Sequence, residues 1–274
     1  MYTYPQAKIN LGLYVVERRP DGYHNLQTAF YPVPLTDTLQ VVPSKTASWS
    51  LQTVGTPVEG RAEDNLVVRV YLQMREEFHL PPVDIYLDKH IPCGAGLGGG
   101  SSDAAEMMKR LNELFRLHLS DDALEQRLAM FGADCPFFVR RRPVLAEGIG
   151  DVFSPLTVSL KGWTIALVKP PVHVSTREAY ADVSPRSPHV PLHEALRHPV
   201  EQWRRLVFND FEPSVFARHP EIAAVKDTLY DMGAQFALMT GSGATVFALF
   251  KHRIEELPRV FADCFTYQSL LREF

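Results

Sequence analysis

Several groups of residues in this chain are of types and spacings that could do chemistry. The first is the stretch Pro92-Cys93-Gly94-Ala95-Gly96-Leu97-Gly98-Gly99-Gly100-Ser101-Ser102. Its glycines let the backbone fold into concave turns and let a ligand approach without meeting a Cβ atom. Successive backbone N–H groups in such a turn, feeding a helix N-terminus, cradle phosphate oxygens. The stretch therefore reads as an anion site for nucleotide phosphates. The second group is Lys8 and Asn10, which an alternating strand from Ala7 to Val15 sets side by side on one face, opposite Ile9, Leu11, Leu13 and Val15. The third is Asp134, an acid among apolar residues in Ala133-Asp134-Cys135-Pro136-Phe137-Phe138-Val139. Burial raises a carboxyl pKa unless a cation restores the charged form, and Lys8 is the partner we expect. On residue type alone, Lys8 also fits a solvated strand face and Asp134 an ordinary turn acid.

Other glycine motifs are excluded or weak. A P-loop needs Lys and Ser/Thr after its last glycine, where this chain has Gly100 and Ser101. Gly94, Gly96 and Gly99 do match G-x-G-x-x-G, but that pattern also needs a following βα unit with an acidic ribose ligand. Ser120-Asp121-Asp122 reads instead as the start of a second helix carrying Leu124, Leu128 and Phe131. A flexible linker is the remaining alternative. Linkers rarely run straight into an amphipathic helix, and Ala104, Met107, Met108, Leu111, Leu114 and Phe115 follow the 3.6-residue period. Asp103 and Glu106 suit a capped first turn of that helix.

The elements that must position these residues follow from pattern. Strands are expected at Leu26–Val33, Thr38–Val42, Trp49–Val54 and Val83–Leu87, and a helix at Asn65–Phe78, ended by Pro81-Pro82. A turn at Arg19-Pro20-Asp21-Gly22 leads into Tyr23 and His24. A strand at Trp163–Val168 precedes a segment rich in Pro, Ser and His, expected to wind over the surface as far as Pro199. A helix from Pro220 to Met232 and strands at Phe236–Met239 and Thr245–Phe250 follow, the strands joined by Thr240-Gly241-Ser242-Gly243-Ala244. A helix near Ile254–Phe261 and a strand near Phe265–Tyr267 complete an α+β module.

At 274 residues the chain suits one large or two modest domains, and its net charge of −4 provides no basic field for nucleic acid or anionic lipid. Cys93, Cys135 and Cys264 are far apart and form no metal or redox motif, as in a reduced compartment. No apolar run is long enough to span a bilayer, and the N-terminus lacks the regions of a signal peptide. A cytoplasmic protein with no nucleic-acid or membrane partner is expected, either a monomer or a weak homodimer.

Pro92–Ser102 with Asp103-Ala104-Ala105 resembles the P-x-G-x-G-L-G-x-S-S loop of the GHMP kinases (galacto-, homoserine, mevalonate and phosphomevalonate kinases). The triple glycine before two serines is most similar to the branch that acts on a cytidine diphosphate sugar alcohol. Ala7-Lys8-Ile9-Asn10, Asp21-Gly22-Tyr23-His24, Gly132-Ala133-Asp134-Cys135-Pro136 and the second glycine turn resemble the same branch, so the likeness runs along nearly the whole chain. The resemblance implies an α+β, two-domain GHMP kinase fold. Residues 1–155 would form a ribosomal-S5-like ATP-binding domain and 156–274 a ferredoxin-like domain, with the site in the cleft between them.

The implied reaction moves the γ-phosphoryl of ATP to the 2-hydroxyl of the sugar alcohol, in the non-mevalonate route to isoprenoid precursors. Pro92 through Ser102 would hold ATP. Asp134 would accept the hydroxyl proton, with Lys8 keeping it ionised and Asn10 orienting the acceptor. Tyr23 would stack on cytosine and His24 read its edge, with Thr176, Tyr180, Gly241 and Ser242 completing the substrate pocket. Their plain alternatives are loop packing and a hairpin turn. Mg²⁺ is expected with ATP, with Ser101, Ser102 and Asp103 as candidate ligands and helix capping as the alternative role of each. Two rivals stand: another kinase of the superfamily, and a nucleotide sensor without turnover. Tyr23-His24 argues against the first, and Lys8 with Asp134 against the second.

Overall fold

The alternation from Val83 to Leu87 becomes the strand Val83–Lys89, with Val83, Ile85, Leu87 and Lys89 buried and the residues between them half-buried. In the computed structural model, which describes residues 1–273, this strand belongs to the first of two compact units. That unit takes Met1–Ala7, Leu35–Cys93 and Gly98–Arg141. Its sheet has the order Tyr2–Thr3, Thr38–Pro43, Val83–Lys89, Ser50–Gly55, antiparallel except for the last pair.

Helix α1 (Leu66–Phe78) forms despite three valines, because Val67, Val70, Tyr71 and Met74 bury one stripe and Asn65 caps it by accepting the Val67 N–H at 3.1 Å. Helix α2 (Gly99–Leu114) packs on α1 and on the strand Thr38–Pro43, burying Ala104, Met107, Met108 and Leu111. Its start differs from expectation. Gly98, at φ +70°, is the N-cap residue and provides no side-chain cap. Asp103 and Glu106 are thus a turn too late to cap; both are buried in ion pairs, with Lys89 and Arg141 respectively. Helices α3 (Asp121–Leu128) and α4 (Phe137–Arg140) close the unit around α2.

The second unit takes Lys8–Pro34, Gly94–Leu97 and the chain from Arg142 on. One of its sheets runs Gln6–Arg18, His24–Thr36, Val144–Glu147, Val152–Pro155. The other is wholly antiparallel, in the order Phe236–Met239, Val246–Phe250, Thr164–Lys169, Phe265–Leu270. Taken in chain order, its first strand pairs with the third and the fourth, and the second lies at an edge. That is the ferredoxin-like arrangement.

The segment expected to wind over the surface contains helices α5 (Thr176–Tyr180) and α6 (Leu192–Ala195) and leads into α7 (Val200–Leu206). Residues 184–187 do lie at the surface, but the end of the segment does not: Leu192, Ala195 and Leu196 are buried. Helices α8 (Glu212–Arg218) and α9 (Pro220–Asp231) follow, with Val215, Ile222, Val225 and Leu229 in one core with Leu13, Val15 and Phe250. The helix expected over Ile254–Phe261 shrinks to α10 (Leu257–Val260), and the last strand extends to Leu270.

Candidate functional site

The glycine loop is shaped by three left-handed residues, Gly94 at φ +59°, Gly96 at +74° and Gly98 at +70°, alternating with Ala95 and Leu97. Left-handed residues alternating with ordinary ones gather successive N–H groups into an anion-binding nest. The loop then runs into α2, whose first N–H groups have no intrahelical acceptor. At Gly96 the lack of a side chain is compulsory for a second reason. A Cβ there would stand 2.1 Å from the carbonyl oxygen of Thr240. The turn Thr240–Gly243 thus lies against the glycine loop, with Gly241 at φ +57° and Ser242 half-buried. Asn209 braces that turn, its Nδ2 donating to the carbonyls of Met239 and Gly241 at 2.7 and 2.9 Å.

Lys8 and Asn10 are both buried and joined, Lys8 Nζ donating to Asn10 Oδ1 at 2.7 Å and to the Gly96 carbonyl at 3.2 Å. The Lys8 ammonium also lies 4.9 Å from the ring centre of Phe30. Asn10 Nδ2 donates to the Thr28 hydroxyl at 2.8 Å, and the Asn10 backbone N–H donates to the Thr240 hydroxyl at 2.9 Å. A buried cation is thereby held at the carbonyl rim of the anion loop. The Asn10 amide, expected to orient an acceptor, is engaged inside the protein: its oxygen accepts from Lys8, its nitrogen donates to Thr28, and the Thr240 hydroxyl, 3.2 Å from its oxygen and 3.1 Å from the Gly96 carbonyl, can donate to either.

A second buried ammonium went unread in the sequence. Lys89 continues the inward row of its strand and pairs with Asp37 and, at 2.6 Å, with Asp103. Burial works against the Lys89 charge, yet the two carboxylates outweigh it and raise its pKa. Burial pushes the Asp103 carboxyl up to about 7, with Lys89 opposing the rise and Asp37 adding to it. The other oxygen of Asp37 accepts the backbone N–H groups of His90 and Ile91 at 2.6 and 2.8 Å. This cluster fixes the chain just ahead of the glycine loop. Asp103 is accordingly engaged with Lys89, and Ser102 is buried, leaving Ser101, half-buried, as the most accessible of the magnesium candidates. No cluster of three or more His, Cys, Asp or Glu side chains suited to a metal occurs among the described residues.

Asp134 sits half-buried in the turn ahead of α4. Its neighbour Cys135 is buried, and burial pushes that thiol up to about 11, so it is no nucleophile. Tyr23 follows a turn closed by Arg19 N–H on the Tyr23 carbonyl at 2.8 Å and by Tyr23 N–H on Asp21 Oδ1 at 3.0 Å. Its ring is 62% exposed. The His24 ring stacks on Tyr180 with centres 4.9 Å apart, and Tyr180 meets Phe211 edge-on. Thr176 is exposed at the start of α5. The structure therefore gathers His24 with Tyr180, and Lys8 with Asn10, Gly96 and Thr240.

The chain as a whole resembles known proteins. The chain matches the GHMP kinases N terminal domain over residues 65–142 and the GHMP kinases C terminal domain over residues 192–264. A 4-diphosphocytidyl-2-C-methyl-D-erythritol kinase of Bacteroides fragilis is 51% identical over 99% of this chain and 100% of its own length. One of Bacteroides thetaiotaomicron is 54% identical over 92% of both chains. The chain belongs to the GHMP kinases. Among solved structures, a 4-(cytidine 5'-diphospho)-2C-methyl-D-erythritol kinase superposes with a TM-score of 0.81 at 33% identity, covering 98% of both chains. A homoserine kinase from Cytophaga hutchinsonii shares the fold alone, with a TM-score of 0.65 at 18% identity over 97% of this chain and 94% of that one.

Within the GHMP kinase frame, the N-terminal match contains the glycine loop and Asp134, and the C-terminal match contains the Thr240–Gly243 turn. Lys8, Tyr23 and His24 precede both, and Thr176 and Tyr180 lie between them. Sequence reading missed Lys89, Asp37 and Thr28, and gave Thr240 and Asn209 no role in the site. One signal was present for Lys89: extending the alternation of Val83, Ile85 and Leu87 by one more step places it on the buried row. Asp37 and Thr28 gave none, since their partners are distant in sequence, whereas Asn209 lies in Phe208-Asn209-Asp210-Phe211-Glu212, which resembles the same branch and reads as structural.

Proposed function

We propose that the chain transfers the γ-phosphoryl of ATP to the 2-hydroxyl of 4-diphosphocytidyl-2-C-methyl-D-erythritol. The observation that carries this is the Lys8 ammonium held 3.2 Å from the Gly96 carbonyl, on the glycine loop of an ATP-dependent kinase family. In-line phosphoryl transfer requires mainly positioning and cancellation of negative charge. The glycine loop and the N-terminus of α2 take the phosphates; Lys8 supplies positive charge; Asp134 takes the proton of the attacking hydroxyl. Ser101 is the candidate to touch the Mg²⁺ that would accompany ATP, an ion that would supply neutralisation of phosphate charge when bound. His24, Tyr23 and Tyr180 form the base-recognition group, offering flat rings and an edge donor or acceptor, and Thr176, Gly241 and Ser242 complete the substrate pocket. The 1–155 and 156–274 division, a cytoplasmic setting and a monomer or weak homodimer belong to the same reading. No helix among the described residues is long and apolar enough to cross a membrane.

The test is phosphoryl transfer from ATP to the cytidine diphosphate substrate, run beside mevalonate and homoserine. Turnover with the cytidine substrate alone is expected. Preference for either other alcohol would reassign the chain within the GHMP kinases, and ATP binding without transfer to any of them would mark a sensor.

A further inference from the structure

Thr28 lies on the strand His24–Thr36, next to the strand that carries Lys8 and Asn10, and is 1% exposed. Its hydroxyl is 2.6 Å from the carbonyl oxygen of Gly12. A carbonyl can only accept, so the single hydroxyl proton goes to Gly12. The Thr28 oxygen is then an acceptor towards Asn10, 2.8 Å away, and the atom facing it must be the amide nitrogen. That choice turns Oδ1 of Asn10 towards Lys8 Nζ, 2.7 Å away. An ammonium can only donate, so this end of the chain of bonds demands the same orientation. A flipped amide would set NH₂ against NH₃⁺ and oxygen against oxygen. The Thr240 hydroxyl lies 3.2 Å from Oδ1 and 3.1 Å from the Gly96 carbonyl, and its one proton serves either acceptor.

We infer that Thr28 is a positioning residue for phosphoryl transfer: its hydroxyl locks the Asn10 amide, which in turn holds the Lys8 ammonium at the Gly96 carbonyl of the glycine loop. The inference rests on the role of Lys8 proposed above. Thr28 touches neither ATP nor acceptor in this scheme. It acts through two side chains, and its effect therefore belongs in kcat rather than in substrate affinity.

The experiment compares Thr28→Val, which keeps the shape and removes the hydroxyl, with Thr28→Ser, which keeps the hydroxyl. For Thr28→Val, kcat per folded molecule should fall about 10- to 100-fold, as for a small misplacement of a charged group, while KM for ATP and for the acceptor stays within about 2-fold. Thr28→Ser should stay within about 3-fold of wild type in kcat. In a Lys8→Met background, Thr28→Val should add no further loss, since the group it positions is gone. Should Thr28→Val fail to fold, Thr28→Cys, a weak donor of similar size, takes its place in the same comparison. If Lys8→Met is severely impaired but Thr28→Val turns over at the wild-type rate, the inference about Thr28 fails and the role of Lys8 stands. If Lys8→Met itself keeps full turnover, both fail. Equal losses from Thr28→Val in the wild-type and Lys8→Met backgrounds would show a purely structural role and overturn the inference.

Discussion

The carbonyl oxygen of Thr240 occupies the space that a side chain on Gly96 would need, 2.1 Å from the position of its Cβ. Two glycine turns that are far apart in sequence are thereby packed backbone to backbone. Gly96→Ala meets both a left-handed φ and this clash, neither of which a flexible side chain can relieve. Gly22→Ala is the natural control, because Gly22 has φ +87° and nothing within 4 Å of its Cβ position. The control should cost about 1–2 kcal/mol, the penalty for left-handed backbone alone. Gly96→Ala should cost more, about 2–4 kcal/mol in urea denaturation, and should weaken binding of an ATP analogue. Equal losses in the two variants would mean that the Gly96–Thr240 contact relaxes freely.

Asp134 is the residue assigned to take the acceptor's proton. Asp134→Asn preserves shape and removes the charge. Turnover should drop by roughly 10²- to 10⁴-fold with binding of an ATP analogue retained, as expected for loss of a general base. A folded variant with near wild-type kcat would remove Asp134 from the chemistry.

The sequence was most legible where its signals were local. The glycine loop, α1, α2 and the alternating strands all follow from periodicity and turn chemistry within about a dozen residues. Lys8 and Asn10 were correctly set side by side by strand alternation. What pattern could not show was polarity at a distance: Asp37 meeting Lys89 and Asp103, Asn209 bracing the Thr240 turn, or Thr28 reaching Asn10. Each depends on which strands become neighbours, a property of topology. Local rules also misled at α2, where Asp103 and Glu106 match a capping pattern but a helix beginning at Gly99 directs them into buried ion pairs. The end of the segment before Pro199, around Leu192 and Leu196, was misread because the segment's prolines and serines suggested a surface loop. Its scattered apolar residues carry the packing instead.

The cluster around Lys89 yields a pH dependence of stability. Asp103 has a folded-state pKa raised from 3.8 to about 7, so the folded protein binds its proton more tightly than the unfolded chain does. Its contribution to stability is fully present below the unfolded value and is lost as pH rises through about 7. Asp103→Asn cannot titrate and should lack this component. Between about pH 4 and pH 7, wild type should therefore lose stability relative to Asp103→Asn, read as the difference in unfolding free energy by urea denaturation at each pH. Only the slope matters, because the substitution also changes the bond to Lys89 by a constant amount. Parallel pH profiles would mean that Asp103 stays ionised throughout, with its charge balanced inside the cluster.

The proposed function assigns specificity for the cytidine substrate to the shortest stretch of sequence, Tyr23-His24. The turn before it is closed by two bonds to the Tyr23 backbone, which fix the tyrosine's main chain, and the residue is 62% exposed. An exposed aromatic ring on a fixed main chain is free to stack on a base, and Tyr23→Ala should weaken substrate binding by about 1–3 kcal/mol. His24 differs, because its ring is stacked on Tyr180 with centres 4.9 Å apart. His24→Ala therefore removes both an edge hydrogen-bond partner and the support of the Tyr180 ring, and should weaken substrate binding as well. Tyr180→Phe keeps the stacking face and should leave binding nearly unchanged. None of the three should alter affinity for an ATP analogue, because none lies in the glycine loop or in the Lys8 network. The measurement is Kd for the cytidine substrate and for the ATP analogue across wild type and the three variants. Unchanged substrate affinity in both alanine variants would place the base pocket elsewhere and weaken the case against the other GHMP kinase substrates. A fall in ATP-analogue affinity instead would move Tyr23 and His24 to the donor side of the reaction.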